Sequence, residues 1–356
     1  LSTETENTTA SKASAPGPTT PSGRPGGGSP LGLLTRFLTL REGSIIVVTL
    51  IVFLYFVIST SHFLTGSSIK SLLPYFAPYA IMAAGQVFVM VLGEIDLSIG
   101  AVYLFVPFIW NSVHNAGVPL LPALIIAIIA AAAVGAINGF FTAYVGIASF
   151  VVTLGMQLFL AGLTLVISHS TQITTPGTTT SGSMDTLAKI FGGNTYSELI
   201  WAVVIVIILQ VLLSRARWGT YTVAVGGNKF SAAESGVNTR WVTMRNFILC
   251  ASFAGLTGIF EAVRTLSANP DPTSASQIMF LAIAACIIGG TLMTGGEGTV
   301  VGALIGALFL GILTEGLNLK GVSDNYLDLY LGLAVIVAMV INVYVRRVRR
   351  GSGLGS

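Results

Sequence analysis

Apolar residues in this chain gather into about ten long stretches, near 44–60, 74–92, 98–114, 119–144, 148–168, 198–214, 246–263, 278–294, 298–315 and 326–345. Each is close to the ~20 residues with which a helix crosses a hydrocarbon core of roughly 30 Å. The pattern predicts an all-α polytopic membrane protein with about ten transmembrane helices. Pro74 and Pro78 stand near the start of the second stretch, where a missing N–H costs little, and Pro107 inside the third predicts a kink. In the ninth, Gly302-x-x-x-Gly306 is a small-residue pair that lets two helix backbones approach closely.

Composition sharpens the class. Of 356 residues, 53% are apolar and 9% charged, and mean hydropathy is +0.84. An ordinary soluble domain carries roughly a quarter charged residues, so a soluble fold is excluded. Residues 1–30 differ: Ser, Thr, Pro and Gly fill 21 positions, too little apolar surface to offset the entropy of ordering. They read as a disordered cytoplasmic tail without the apolar region of a signal peptide. Residues 31–350 form the membrane domain, and 351–356 resemble a cloning scar. With ten spans, thirteen of the 17 Lys and Arg fall on the inner side and four (Lys70, Lys189, Arg264 and Lys320) on the outer. That bias puts both termini in the cytoplasm and a long 215–245 loop on the same side. The basic residues cluster at helix ends rather than in one patch, which excludes nucleic acid as a partner. Cys250 and Cys286 lie in apolar runs and read as small hydrophobes.

Little points to catalysis. There is no phosphate-cradling loop, no His/Cys metal cluster and no serine nucleophile elbow. An intramembrane enzyme would need a convergent nucleophile and base, so transport is the default. The histidines, His62, His114 and His169, fall at outer ends of spans. Polar groups at membrane depth each need a reason. Glu94, Asp96 and Ser98 occupy a Gly-flanked break between the second and third spans. They serve either as a helix cap or as part of a pore or gate. Asn138, Gln157 and Asn318 either bond between helices or line a path, and Glu261 with Arg264 suits a local ion pair. In the inner loop, Asn228 is a suitable cap for Lys229, Phe230, Ser231, Ala232, Ala233 and Glu234, and Gly236 suits a left-handed stop. A helix of about two turns does not persist alone in water. It lies either on the inner leaflet or as a peg in a soluble motor subunit.

Several signatures then fall in one order. Gly93-Glu94-Ile95-Asp96-Leu97-Ser98-Ile99-Gly100, Gly135-Ala136-Ile137-Asn138-Gly139, Ala224-Val225-Gly226-Gly227-Asn228, Ala232-Ala233 with Ser235-Gly236-Val237, Ile288-Gly289-Gly290-Thr291, Gly295-Gly296-Glu297-Gly298 and Gly316-Leu317-Asn318-Leu319 follow one another. Together they resemble the permease subunit of ribose-type (monosaccharide) ABC importers, over roughly 80–340. The resemblance implies a permease domain in the bacterial inner membrane, paired with a second copy or a paralogue. It also implies an ATPase subunit that binds ATP and Mg, and an extracytoplasmic sugar-binding protein, with no cofactor in this chain. Gly227, Asn228, Lys229, Phe230, Ala232, Ala233, Glu234 and Gly236 would couple to the ATPase. Glu94, Asp96, Ser98, Asn138, Gln157, Glu261 and Asn318 would be path or gate candidates. Glu94 replaces a glycine usual in the family, and Ile278-Met279-Phe280-Leu281 is apolar where relatives often carry acidic residues. The alternative is a proton- or sodium-coupled sugar carrier that uses Glu94, Asp96 or Glu261 as ion sites. A faint repeat sets Asn138 and Gly146 beside Asn318 and Gly321, in an orientation the sequence leaves open.

Overall fold

The computed structural model describes residues 42–176, 190–192 and 196–351; the 1–30 tail and 352–356 lie outside the described residues. The described chain is helical apart from one two-stranded ribbon. In order it forms α1 (Gly43–Ser59), α2 (Gly66–Leu72), a short 3-10 turn (Leu73–Tyr75), α3 (Ala77–Val91), α4 (Ile99–Asn115), α5 (Leu120–Phe140) with a π turn (Phe141–Val145), and α6 (Ser149–Ser168). Then come β1 (Ile173–Thr174), α7 (Ser197–Arg215), α8 (Arg217–Gly227), α9 (Lys229–Glu234), α10 (Thr239–Thr265), β2 (Ser267–Ala268), α11 (Pro272–Ile288), α12 (Val300–Leu319) and α13 (Asp324–Gly351). Helices α1, α3 to α7 and α10 to α13 occupy the ten apolar stretches. Among the described residues, six helical segments are long and apolar enough to cross a membrane, and three shorter apolar helices accompany them. The protein is a multi-pass membrane protein.

The helices run up and down, so consecutive loops alternate between two ends. One end carries α8 and α9; the other carries β1 and β2, paired antiparallel with Ile173 opposite Ala268. The ribbon ties the loop after α6 to the loop after α10, and Thr175 adds an Oγ1–H bond to the Ala262 carbonyl at 2.5 Å. At the centre stands α3, in which every residue but Tyr79 is buried. Around it pack α10, α11, α12 and α7, while α4 and α5 pack on α10. Lipid-facing surface is apolar without a polar stripe: Phe150, Leu154, Leu158 and Phe159 on α6 and Ile200, Ile207 and Ile208 on α7 are all exposed. In a bilayer such a face needs no polar cover.

Small residues set the packing distances. A Cβ at Gly302 would lie 2.2 Å from the Gly289 carbonyl oxygen, and one at Gly306 would lie 2.2 Å from that of Ala285. The predicted small-residue pair is therefore the contact seam between α12 and α11. On the other side, Gly258 of α10 sits against the Tyr103 carbonyl, where a Cβ would approach to 2.1 Å. Pro107, four residues after Tyr103, supplies no N–H to that carbonyl. The helix α4 runs on through Pro107.

The break between α3 and α4 is more than a turn. Gly93 lies against Thr294, beyond the end of α11, whereas Gly100 lies against Ala275 in the first turn of α11. Residues 94–97 have no regular secondary structure and Ser98 already has helical φ and ψ, so the chain climbs between the two helices as a short irregular segment. Such backbone needs partners at that depth. Ser149 Oγ accepts from the Ile95 N–H (3.2 Å), and Thr153 Oγ1 accepts from the Leu97 N–H (3.0 Å). The third span thus opens on a short irregular segment before its helix.

Three boundaries move from the sequence reading. Helix α11 begins at Pro272 rather than 278, because Asp271 caps it and Pro272 is favoured at the first position. It ends at Ile288, before Gly290 at φ +90°. Helix α10 begins at Thr239 rather than 246: Asn238 Oδ1 accepts from the Trp241 N–H at 3.0 Å. Helix α13 runs through Arg350 to Gly351, into the first residue read as a scar. Of the faint repeat, Asn138 ends α5 at the α9 end and Asn318 ends α12 at the ribbon end. Gly146 (φ +86°) and Gly321 (φ +73°) follow them. The two Asn-bearing helix ends therefore lie at opposite ends of the bundle.

Candidate functional site

At the ribbon end, α3, α4, α10, α11 and α12 part around a cavity of about 680 Å³. This lies within the roughly 300–1,000 Å³ usual for small-molecule sites. Tyr75 and Tyr79 line it from the start of α3, Tyr103 from α4, and Glu261 and Arg264 from α10. Ser274 and Gln277 come from the first turns of α11, and Glu315 and Asn318 from the last turns of α12. A smaller cavity of about 230 Å³ beneath the ribbon shares Tyr103, Glu261 and Ser274 with it. The wall therefore mixes phenol rings with amides, carboxylates and one guanidinium.

Arg264 anchors the charge. It donates from Nε to Glu261 Oε2 at 2.9 Å and from Nη2 to Glu261 Oε1, the local pair expected from the i, i+3 spacing. Its Nε also lies 3.7 Å from Glu198 Oε2 on α7, a carboxylate only 4% exposed. One cation thus ties α10 to α7 between two carboxylates. On the rim, Asp271 accepts from the Ser274 hydroxyl (2.6 Å) and the Thr273 N–H (2.9 Å). The Ser274 bond first, and then the Thr273 N–H, hold the Asp271 carboxyl below the usual carboxylate range.

At the opposite end three backbone segments meet without side chains between them. The Gly296 N–H donates to the Val91 carbonyl at 2.8 Å. A Cβ at Gly226 would lie 1.7 Å from that same carbonyl oxygen, and one at Gly295 would lie 2.9 Å from the Gly226 oxygen. Gly93, Gly295 and Gly296 have φ of +80°, +83° and +79°, conformations that glycine adopts without steric cost. So the end of α3, the end of α8 and the loop before α12 are locked backbone to backbone. Helix α9 grows from this seam. Asn228 Oδ1 accepts from the Ser231 N–H at 3.0 Å, and Gly236 has φ +83°, as the sequence predicted. Its Ala232 packs with Leu92, Val225 and Val242 in a small core. Phe230, by contrast, is 86% exposed. Beside it, Asn246 of α10 accepts from Trp218 Nε1 (2.6 Å) and donates to Thr222 Oγ1 (3.0 Å), binding α8 to α10.

Residues 68–343 match the family described as branched-chain amino acid transport system / permease component. The chain belongs to this permease family. It is 31% identical over 325 residues to the xylose/arabinose import permease protein of Sulfolobus acidocaldarius, covering 89% of this chain and 88% of that one. It is also 31% identical to the ribose import permease protein of Escherichia coli (86% and 95% covered) and 30% identical to the D-allose transport system permease protein of the same organism (85% and 91%). No solved structure matches the chain. The family resemblance read from the signatures holds, and so does a transport subunit in place of an enzyme or an ion-driven carrier.

The permease brings only two of the seven path candidates, Glu261 and Asn318, to the large cavity. Asp96, Ser98 and Asn138 are fully buried in a local network. Asp96 Oδ1 accepts from the Ser98 N–H (2.8 Å) and hydroxyl (2.6 Å), and Asn138 Nδ2 donates to Ser98 Oγ at 2.8 Å. Ser98 directly precedes α4, yet its side chain caps no N–H of that helix. Gln157 donates to Ser276 Oγ at 3.1 Å, joining α6 to α11, and Glu94 stands half-buried in the climbing segment. Sequence reasoning missed Tyr75, Tyr79, Tyr103, Gln277, Glu198 and Glu315. A carboxylate inside the ninth apolar stretch was the available signal for Glu315.

Proposed function

We propose that this permease forms the path of an ATP-driven importer for a monosaccharide or a similarly small polyol. The solute arrives from an extracytoplasmic binding protein, and a second copy or a paralogue completes the channel. Separate ATPase subunits hold ATP and Mg. The cavity carries this reading: tyrosine rings beside amides and carboxylates suit a solute with an apolar ring face and a hydroxylated edge. Relatives over most of their length import xylose, arabinose, ribose and allose, which supports the same class. The ribbon end then faces outward, and α9 lies in the cytoplasm of a bacterial inner membrane, as the Lys/Arg bias requires.

In this reading Lys229, Phe230, Ala233 and Glu234 enter the ATPase, while Ala232 holds the peg to the permease. Gly227, Asn228 and Gly236 shape its ends. Closure of the ATPases pushes α9, and the glycine seam passes the displacement to α3, whose other end walls the cavity. The path candidates divide accordingly. Glu261 and Asn318 meet solute, whereas Asp96, Ser98, Asn138 and Gln157 hold the climbing segment and its neighbours, with Glu94 at its mouth.

Phe230→Ala tests the coupling. It leaves permease stability within about 0.5 kcal/mol, as for an exposed side chain, yet lowers ATPase affinity about tenfold or more, as loss of an interface anchor does. Unchanged pull-down of the ATPase and unchanged uptake would remove the peg from the account.

A further inference from the structure

We propose that Glu315 accepts a hydrogen bond from a hydroxyl of the solute in transit, so that the permease itself contains a weak polyol subsite. The inference rests on the sugar reading above and adds a residue and a contact to it. Glu315 lies on α12 one turn before Asn318 and is 4% exposed. It lines both the 680 Å³ polar cavity and an apolar hollow of about 490 Å³ between α1, α2 and α12. Among the described residues it makes no hydrogen bond and no ion pair. The other carboxylates of this end differ: Glu261 and Glu198 share Arg264, Asp328 accepts from Gln277 Nε2 at 2.8 Å, and Asp271 caps α11.

A buried carboxylate without donors is costly at membrane depth and is retained where something else supplies them. The apolar hollow offers Thr49, whose hydroxyl has no partner among the described residues, and Ser68, whose hydroxyl is already given to the His62 carbonyl at 2.8 Å. One hydroxyl cannot meet a carboxylate's several acceptor sites, and the polar cavity is the larger source of donors. Tyr75 and Tyr79 give its wall an apolar face beside Glu315, and Asn318 adds a neutral donor and acceptor one turn on. A ring with C–H faces and hydroxyl edges meets both requirements at once. A metal or ammonium cation fits less well, because Arg264 stands in the same wall. One such contact gives weak binding, which lets the solute leave again.

The test uses the complete transporter in proteoliposomes with D-ribose, D-xylose, D-allose and L-leucine as probes. Monodeoxy analogues of the transported sugar follow. Glu315→Leu lowers sugar uptake about tenfold, the scale of one hydrogen bond to a charged group. Wild type disfavours one deoxy analogue by a similar factor, and Glu315→Gln and Glu315→Leu both bring that ratio toward one. Thr49→Val leaves the ratio unchanged. If Glu315→Leu does not insert, Glu315→Gln alone decides, because a deoxy ratio equal to wild type overturns the assignment. Wild-type sugar uptake with unaltered ratios in both variants overturns only this inference. Uptake of L-leucine in place of any sugar overturns the sugar reading and this inference with it.

Discussion

At the α9 end, Gly93, Gly226, Gly295 and Gly296 bring three backbone segments so close that a methyl group at Gly226 would stand 1.7 Å from the Val91 oxygen. At the ribbon end, α3 and α12 open around about 680 Å³ lined by long polar and aromatic side chains. Both regions involve α3 and the two ends of α12, so one rigid helix pair links a joint without free volume to a chamber that has it. Close-packed contacts transmit displacement because they cannot be compressed. Side chains around a cavity re-arrange instead. The proposed function uses that division, with stiffness where the ATPase would push and room where the solute would pass.

The largest effect follows from filling the joint. Gly226→Val forces a branched side chain onto the Val91 carbonyl and lowers permease stability by about 3 kcal/mol, the upper end of overpacking costs. Thermal unfolding in detergent reads it. A Tm equal to wild type would mean that the seam has slack. Set against Phe230→Ala, which changes docking and not stability, this pair separates the joint from the peg.

The ribbon end responds to charge instead of volume. Arg264→Met leaves Glu198 and Glu261 without their cation. Breaking a buried pair costs roughly 3–5 kcal/mol, and the 32% exposure of the Arg264 side chain reduces this to about 2 kcal/mol. Adding Glu198→Gln recovers more than half of the lost stability. Failure of the second change to rescue the first would show that Arg264 acts only through Glu261.

Much of this architecture was legible beforehand. Ten apolar stretches gave the spans. Asn228 and Gly236 bracketed α9, and Gly302 with Gly306 named a helix seam. The i, i+3 spacing of Glu261 and Arg264 gave their pair, because these signals are local. The cavity was not legible, for a physical reason. Helices that are apolar all round carry no stripe to mark the face turned inward, so Tyr79, Tyr103 and Glu315 look no different from lipid-facing neighbours. Only packing brings Tyr75 before α3, Tyr79 on α3, Tyr103 on α4 and Asn318 on α12 to one wall. Asp96, Ser98 and Asn138 stood out by their polarity, and packing ties them to one another. Asp96 and Ser98 adjoin Ile95 and Leu97, whose N–H groups are met by Ser149 and Thr153, and such a short irregular segment has no hydropathy signature.

The smallest expected effect lies on the cavity rim. Because the folded-state Asp271 carboxyl is held below its ordinary value, its capping contribution is complete above ~4, the usual Asp value. It disappears as pH falls through the depressed value. Asp271→Asn keeps a capping oxygen and costs only about 0.5 kcal/mol at neutral pH, and it removes this acid-side slope. Equal stability slopes for the two proteins below pH 4 would show that the carboxylate form is not what caps α11.

The claim beneath all of this is that the permease moves solute only when other subunits move it. Purified permease in sealed proteoliposomes, with labelled D-ribose, D-xylose or D-allose and imposed proton or sodium gradients, measures this directly. No sugar accumulates until the ATPase, the binding protein and ATP are added. Accumulation by the permease alone, driven by an ion gradient, would contradict the account.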